Sequence, residues 1–303
     1  MQGQNLRNFH LFLLSATWRL GSTLHKAFLQ WKTRGRPRPA LRLLVVGSVL
    51  AGGAGKTPVC AEIAKKIQST GIRVGILCHA VHGKVQNGVR EVFEDTSWRE
   101  SSDEAVWLKK VSQARVWVTR DRFSAWEILS AKGDLDLLIS DDGFEDPRLN
   151  SALRIMLPPP LRADRIWDLI PAGKCRSLLQ DHAGVEECRA VFSLVSVHGF
   201  EGNALQGPFT VVCGIGDPDR FVADLKRLGM EPYDVEFFPD HSVNIAQRVE
   251  SLLAQGISVV TTEKDLVRLP AKSKNHPNLF VAYQKVKLPN KYVERLIDGG
   301  GVN

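Results

Sequence analysis

The stretch "VVGSVLAGGAGKTPVC", Val45 to Cys60, decides how the rest of the chain is read. It opens on a short apolar run of buried-strand type, turns through glycines, and continues into a helical pattern with Val59, Ile63 and Ile67 on one face. Gly55-Lys56-Thr57 closes a phosphate-binding loop of the form G-x-x-x-x-G-K-[ST], although Leu50 stands where the general pattern has its first glycine. The loop residues Gly52, Gly53, Ala54, Gly55, Lys56, Thr57 and Pro58 are the candidate nucleotide-binding set. Glycines let the backbone N–H groups and the helix N-terminus approach phosphate, Lys56 reaches the outer phosphates, and the Thr57 hydroxyl serves Mg²⁺.

Such a site also needs a carboxylate near the metal. "DLDLLISDDGF", 134–144, supplies one at the end of an apolar strand, as in a Walker B strand. Adjacent acids point to opposite sides of an extended chain, so Asp141 is expected on the metal and Asp142 toward substrate or loop. The plainer alternative is a pair of caps before Gly143.

Outward from these two segments the chain alternates. "LRLLVVG", "RVGILC", "RVWVTR" and "LDLLIS" are short apolar runs separated by amphipathic helices, the pattern of a parallel sheet covered on both faces. Weaker runs follow at "LRIML" and "AVFSLV". A second alternation starts at "FTVVCGIG" and runs through "YDVEFF", "ISVVTT" and "LFVAY". The fold class expected is α/β: a P-loop NTPase-like parallel sheet with helices on both faces, a smaller C-terminal α/β lobe and an N-terminal amphipathic helix. Boundaries are set at 1–38, 39–205 and 206–303, with the polar stretch Val197–Gly207 marking the change of lobe.

The net charge is +7, and eight cations precede Leu43 with no acid before Glu62, so the basicity belongs to the N-terminal segment. Leu6, Phe9, Leu13, Ala16, Leu20, Leu24, Phe28 and Trp31 form one helical stripe, interrupted by Arg19 and Lys26 and too short in apolar length to span a bilayer. It either lies on a membrane or packs against the body; basic flanks without acids favour anionic lipid. Its aromatics fall on or beside the stripe rather than between cations, which argues against nucleic acid. Five cysteines without a C-x-x-C pair, and no cleavage pattern after the first apolar run, suggest a reduced, cytoplasmic protein.

The motifs "GGAGKTP" (52–58), "SDEA" (102–105), "DDGF" (141–144), "IPAGKCR" (170–176), "GIGDPDRF" (214–221), "FFPDHS" (237–242) and "TTEKDLVRL" (261–269) resemble, in this order, the tetraacyldisaccharide 4′-kinases of lipid A biosynthesis. The resemblance implies ATP and Mg²⁺ as cofactors. It implies phosphorylation of the 4′-hydroxyl of a tetraacyldisaccharide 1-phosphate at the cytoplasmic face of the bacterial inner membrane. No protein partner is implied. Carried over position by position, it makes Asp103 and His241 the catalytic pair, a carboxylate accepting the sugar proton and a histidine tuning it, with Asp142 beside them. Arg176 and Glu104 fall on the substrate side. Read without the resemblance, Asp103 is a helix cap, His241 a loop residue and Arg176 a solvated arginine, while Asp265 caps a helix.

The family often has Thr at the Leu50 position. It usually reads Ser-Arg-Gly-Tyr-Gly where this chain has Cys78-His79-Ala80-Val81-His82, Gln-His at Glu145-Asp146, and Glu at Ser177. These departures leave a second reading, a catalytically impaired nucleotide-binding switch at the membrane surface.

Overall fold

The computed structural model describes residues 2–80, 85, 88–150, 152–159 and 163–297. Val81 and His82 of the divergent loop lie outside the described residues.

The first sheet contains β1 (Arg42–Gly47), β2 (Val74–His79), β3 (Arg90–Val92), β4 (Arg115–Thr119), β5 (Leu137–Asp141), β6 (Leu153–Met156) and β7 (Glu186–Glu187). Its order is β3-β4-β2-β5-β1-β6-β7, parallel except for β3 against β4. The central apolar runs are buried on both faces, as their lack of alternation requires. Leu44 and Val46 of β1 pack with Val59, Ile63 and Ile67 of α2 (Lys56–Gln68) and Leu108 of α3 (Asp103–Ser112). Leu43 and Val45 face the opposite core with Trp126 and Leu129 of α4 (Arg122–Lys132).

The second sheet contains β8 (Val191–Gly199), β9 (Phe209–Cys213), β10 (Asp234–Phe237), β11 (Ser258–Thr262) and β12 (Leu279–Lys287), in the order β10-β9-β11-β12-β8. The helices α5 (Pro218–Arg227), α6 (Asn244–Ala254), α7 (Glu263–Arg268) and α8 (Ala271–Lys274) connect its strands. The expected change of lobe at 205/206 does not coincide with the sheets. β8, read as a weak strand of the first lobe, pairs antiparallel with β12 in the second, so the chain changes sheet between Glu187 and Val191. Its partner lies about ninety residues downstream, which no local pattern in "AVFSLV" announces. At the end of the chain α9 (Asn290–Ile297) returns to the first lobe, where Tyr292 and Val293 join the core beside α2.

α1 (Gln2–Lys32) docks by a mixed face, on which Phe12 packs against Trp167 with ring centroids 4.9 Å apart. Ser15 is fully buried and its hydroxyl bonds the Leu169 carbonyl at 3.0 Å. The Trp18 indole N–H donates to the Arg176 carbonyl at 3.1 Å, Arg19 pairs with Asp181 at 3.1 Å, and Lys26 with Glu145 at 2.6 Å. Phe9, Leu13, Leu20, Leu24, Phe28 and Trp31 of the stripe remain exposed, Trp31 by 70%. The reading in which the stripe packs on the body is thereby overturned: a different face, carrying Phe12, Ser15, Arg19 and Lys26, takes the docking role. Among the described residues no helix is long and apolar enough to cross a membrane.

Candidate active site

The glycine turn after β1 leads into α2 at Gly55, whose left-handed φ of 76° is the start of the helix. No side chain caps this end and no acid stands in its first turn, so the first N–H groups stay open to an anion. Leu50 is not a defect of the loop. It has an ordinary backbone, lies buried in the α4-side core and forms a bridge with Cys175. Ala51 N–H bonds the Lys174 carbonyl at 2.9 Å and Arg176 N–H the Val49 carbonyl at 2.7 Å, so "IPAGKCR" braces the loop from the side. The second lobe reaches it as well: a Cβ on Gly216 would stand 2.6 Å from the Gly53 nitrogen.

Asp141 ends β5 at the carboxyl edge of the parallel strands, beside the loop, and Asp142 follows it with a left-handed φ of 67° rather than the extended backbone expected. Asp141 is buried, takes a hydrogen bond from Thr57, and has Cys60 Sγ 3.8 Å from its Oδ1. Burial, with the Glu104 carboxylate nearby, pushes it up to about 7, against the pull of Thr57 and Lys56. A carboxylate and a hydroxyl are hard oxygen donors, and a buried acid so short of positive charge fits a divalent cation such as Mg²⁺. Asp142 differs: burial raises it, but Lys56, Arg176 and Arg122 outweigh burial and hold it well below the usual carboxylate range. Arg176 grips it at 2.8 and 3.1 Å, and Lys56 approaches to 3.8 Å. Arg176 is therefore a half-buried clamp rather than a solvated arginine.

Asp103 begins α3, but the cap is Ser102, whose hydroxyl accepts from Ala105 N–H at 3.1 Å. That leaves the buried Asp103 carboxylate for His241, whose Nδ1 lies 2.8 Å from Oδ1 and 3.1 Å from Oδ2. Nδ1 faces two acceptors and so carries a proton, which leaves Nε2 as the nitrogen that changes state. Burial raises Asp103, yet the His241 hydrogen bond and the Lys264 and Arg268 charges hold it down at about 2. The hydrogen bond to Asp103 raises His241 above the ordinary histidine value, against burial and Lys264.

"TTEKDLVRL" builds the support. Thr262 caps α7 in place of Asp265, the expected cap; Asp265 instead accepts from Gly214 N–H at 3.1 Å. Buried Arg268 pairs with Asp265, bonds the Gly214 carbonyl at 3.1 Å and the Ser242 carbonyl at 3.2 Å, and stands 3.5 Å from Asp103. Glu104 meets Lys264 at 3.1 Å.

A cavity of about 370 Å³ between the lobes joins these groups: Gly52 to Pro58, Asp141, Asp142, Glu104 and His241 line it, whereas Asp103 sits behind His241. Arg176 stands outside its lining, reaching it through Asp142. Sequence reasoning missed Arg122 and Phe192, and gave no site role to Gly216, Lys264 and Arg268 although the quoted motifs contain them. A cation three residues past the β4 strand end was a readable signal for Arg122; Phe192, whose ring covers Gly55, had none. Of the divergent loop, Cys78 is buried and His79 joins the cavity wall. The Glu145 and Ser177 departures touch each other at 2.6 Å.

The sequence profile of the family described as tetraacyldisaccharide-1-P 4′-kinase (LpxK) matches residues 7–193 and 186–299. A tetraacyldisaccharide 4′-kinase of Parvibaculum lavamentivorans is 30% identical over 264 residues, 78% of this chain and 76% of the relative. One of Leptothrix cholodnii is 29% identical over 304 residues, 88% and 84% of the two chains. The fold matches a crystal structure of "apo" form LpxK from Aquifex aeolicus in complex with ATP, with TM-score 0.68 and 23% identity over 94% of this chain and 99% of that one. With the family profile spanning most of its length, this chain belongs to the tetraacyldisaccharide 4′-kinase family.

Proposed function

We propose that this chain transfers the γ-phosphoryl group of ATP to the 4′-hydroxyl of a tetraacyldisaccharide 1-phosphate at the inner-membrane surface. The observation that carries the reading is the meeting of Asp103 and His241 at 2.8 Å from two lobes, beside an uncapped phosphate loop. A nucleotide switch without transfer has no chemical need for that pair.

In this reading the loop Gly52 to Pro58 cradles the phosphates and Lys56 meets their outer oxygens. Thr57 and Asp141 would hold Mg²⁺, which supplies charge stabilisation to the phosphates. Arg176 fixes Asp142 beside Lys56. Glu104 faces the acceptor side of the cavity. The acceptor oxygen bonds to the γ-phosphorus as the bond to the bridging oxygen breaks and ADP leaves. The acceptor proton goes to Nε2 of His241, while Asp103 orients the ring and stabilises its charged form. This reverses the expected division of roles, because Asp103 is buried behind the histidine with its oxygens already engaged. The exposed stripe of α1 lies on anionic lipid and brings the cavity to its lipid substrate.

The test is incubation of the purified chain with labelled ATP and a tetraacyldisaccharide 1-phosphate in mixed micelles. A doubly phosphorylated lipid is expected; ATP hydrolysis or binding without a labelled lipid would support the switch instead.

A further inference from the structure

Two successive acids at the start of α3 meet two cations of α7. Lys264 and Arg268 are four residues apart and so share a helix face, turned toward Glu104 and Asp103. Arg268 is sealed in and ties Asp103 to the Gly214 and Ser242 carbonyls. Lys264 does something different: its ammonium lies 3.1 Å from Glu104 in the first lobe and 3.0 Å from Asp240, the residue before His241. The backbone of His241 has a left-handed φ of 63°, a conformation uncommon outside glycine.

We propose that Lys264 is a positioning residue of the reaction: its ammonium, bridging Glu104 and Asp240, seats the His241 loop on the start of α3. The proposal rests on the kinase reading above and adds to it a residue that acts through His241. Without the ammonium, Glu104 and Asp240 face each other as like charges across the lobe boundary, and the bridge becomes a repulsion. The His241 loop then lifts from Asp103 even though both members of the pair are intact.

The charged groups around His241 are Asp103 from α3, Lys264 from α7 and Asp240 on its own loop, 3.6 Å from Nε2, with Glu104 held by Lys264 and Arg268 by Asp103. They give the test a sign. A lysine that is merely a nearby charge lowers the histidine midpoint, so its removal raises it. A lysine that seats the loop preserves the Asp103 contact, so its removal lets the midpoint fall back toward the ordinary value. The experiment is an NMR titration of the full chain with labelled histidines, His241 being assigned by the resonance lost in His241→Gln. In Lys264→Met the midpoint is expected to fall, with kcat down about tenfold or more and little change in the KM for ATP. Lys264→Arg is expected to restore both. A midpoint that is unchanged or raised in Lys264→Met overturns the proposal. If the Met variant does not melt cooperatively, Lys264→Gln, which keeps a polar head, takes its place with the same two readings. The titration needs no substrate, so a wild-type chain inactive on the lipid would count against the kinase reading and leave this test intact.

Discussion

The phosphate loop and the Asp103–His241 pair sit in one cavity but are made in opposite ways. The loop is contiguous. Its strand, glycines and helix lie between Arg42 and Gln68, and its chemistry comes from backbone conformation and an uncapped helix end. The pair joins residues 138 positions apart, from two lobes, and its histidine has a left-handed backbone next to Ser242, whose carbonyl accepts from buried Arg268. On the proposed reading a local motif supplies phosphate binding, whereas the docking of two lobes supplies the reacting geometry. Losses in the first should reach ATP itself; losses in the second should fall on the transition state.

The comparison is broken most severely at Lys56. Lys56→Ala and Thr57→Ala remove the phosphate-facing ammonium and a candidate Mg²⁺ ligand, and turnover is expected to fall by about 10³ or more. Radiolabel transfer to lipid measures this, and wild-type activity in either variant would take the loop out of ATP binding.

Next come the members of the pair. Asp103→Ala and His241→Ala are each expected to lower kcat by about 10² or more with little change in the KM for ATP. The double variant should be only slightly worse than the worse single one, because the residues act as a unit. Multiplicative losses would mean that they act separately.

The pH profile sharpens the same point. His241 works as a base only when neutral, and Asp103 raises its midpoint, so kcat should fall with decreasing pH through a value above the ordinary 6.5 or so. Asp103→Asn removes the carboxylate that stabilises the charged ring, so the acid limb should move to lower pH while the plateau drops. An acid limb that stays in place would assign it to another group.

A smaller effect crosses the boundary between the two regions. Gly216 belongs to the second lobe, yet a Cβ there would meet the Gly53 backbone at 2.6–2.7 Å. Gly216→Ala should therefore raise the KM for ATP by about tenfold, the cost of modest overpacking, with less change in kcat. An unchanged KM would show that the loop is indifferent to the second lobe.

The smallest effect on the folded body is expected at the stripe. Replacing Phe9, Leu20, Leu24 and Phe28 by Ser should leave the melting temperature within a degree or two of wild type, because these side chains are exposed. The same variant should lose co-sedimentation with anionic vesicles; retained binding would remove the stripe from membrane association.

Much of this was legible along the chain. The strand runs around Val45, Leu77, Val116 and Ile139 are short, apolar and bounded by turns, and each became a central strand. The α1 stripe was legible as a stripe, but its direction was not, since an apolar face reads the same whether it meets a core or a membrane. The partners that settled it, Leu169, Arg176 and Asp181, lie 154, 158 and 162 residues away.

By itself the sequence determined the elements whose physics is local: the parallel strands, the glycine-bearing phosphate loop, the acids at the end of β5, and an amphipathic first helix. The family motifs added which distant residues to compare. Tertiary structure alone decided where β8 pairs, which face of α1 docks, that Arg176 clamps Asp142, and that Asp103 is sealed behind His241. Propensity and periodicity act over a few residues, so they specify a strand, a turn or a helix face. Burial, charge pairing and proton position depend on which groups meet across the fold. Lys264 shows the difference: one letter of "TTEKDLVRL" in the sequence, it lies between Glu104 and Asp240 once the lobes meet.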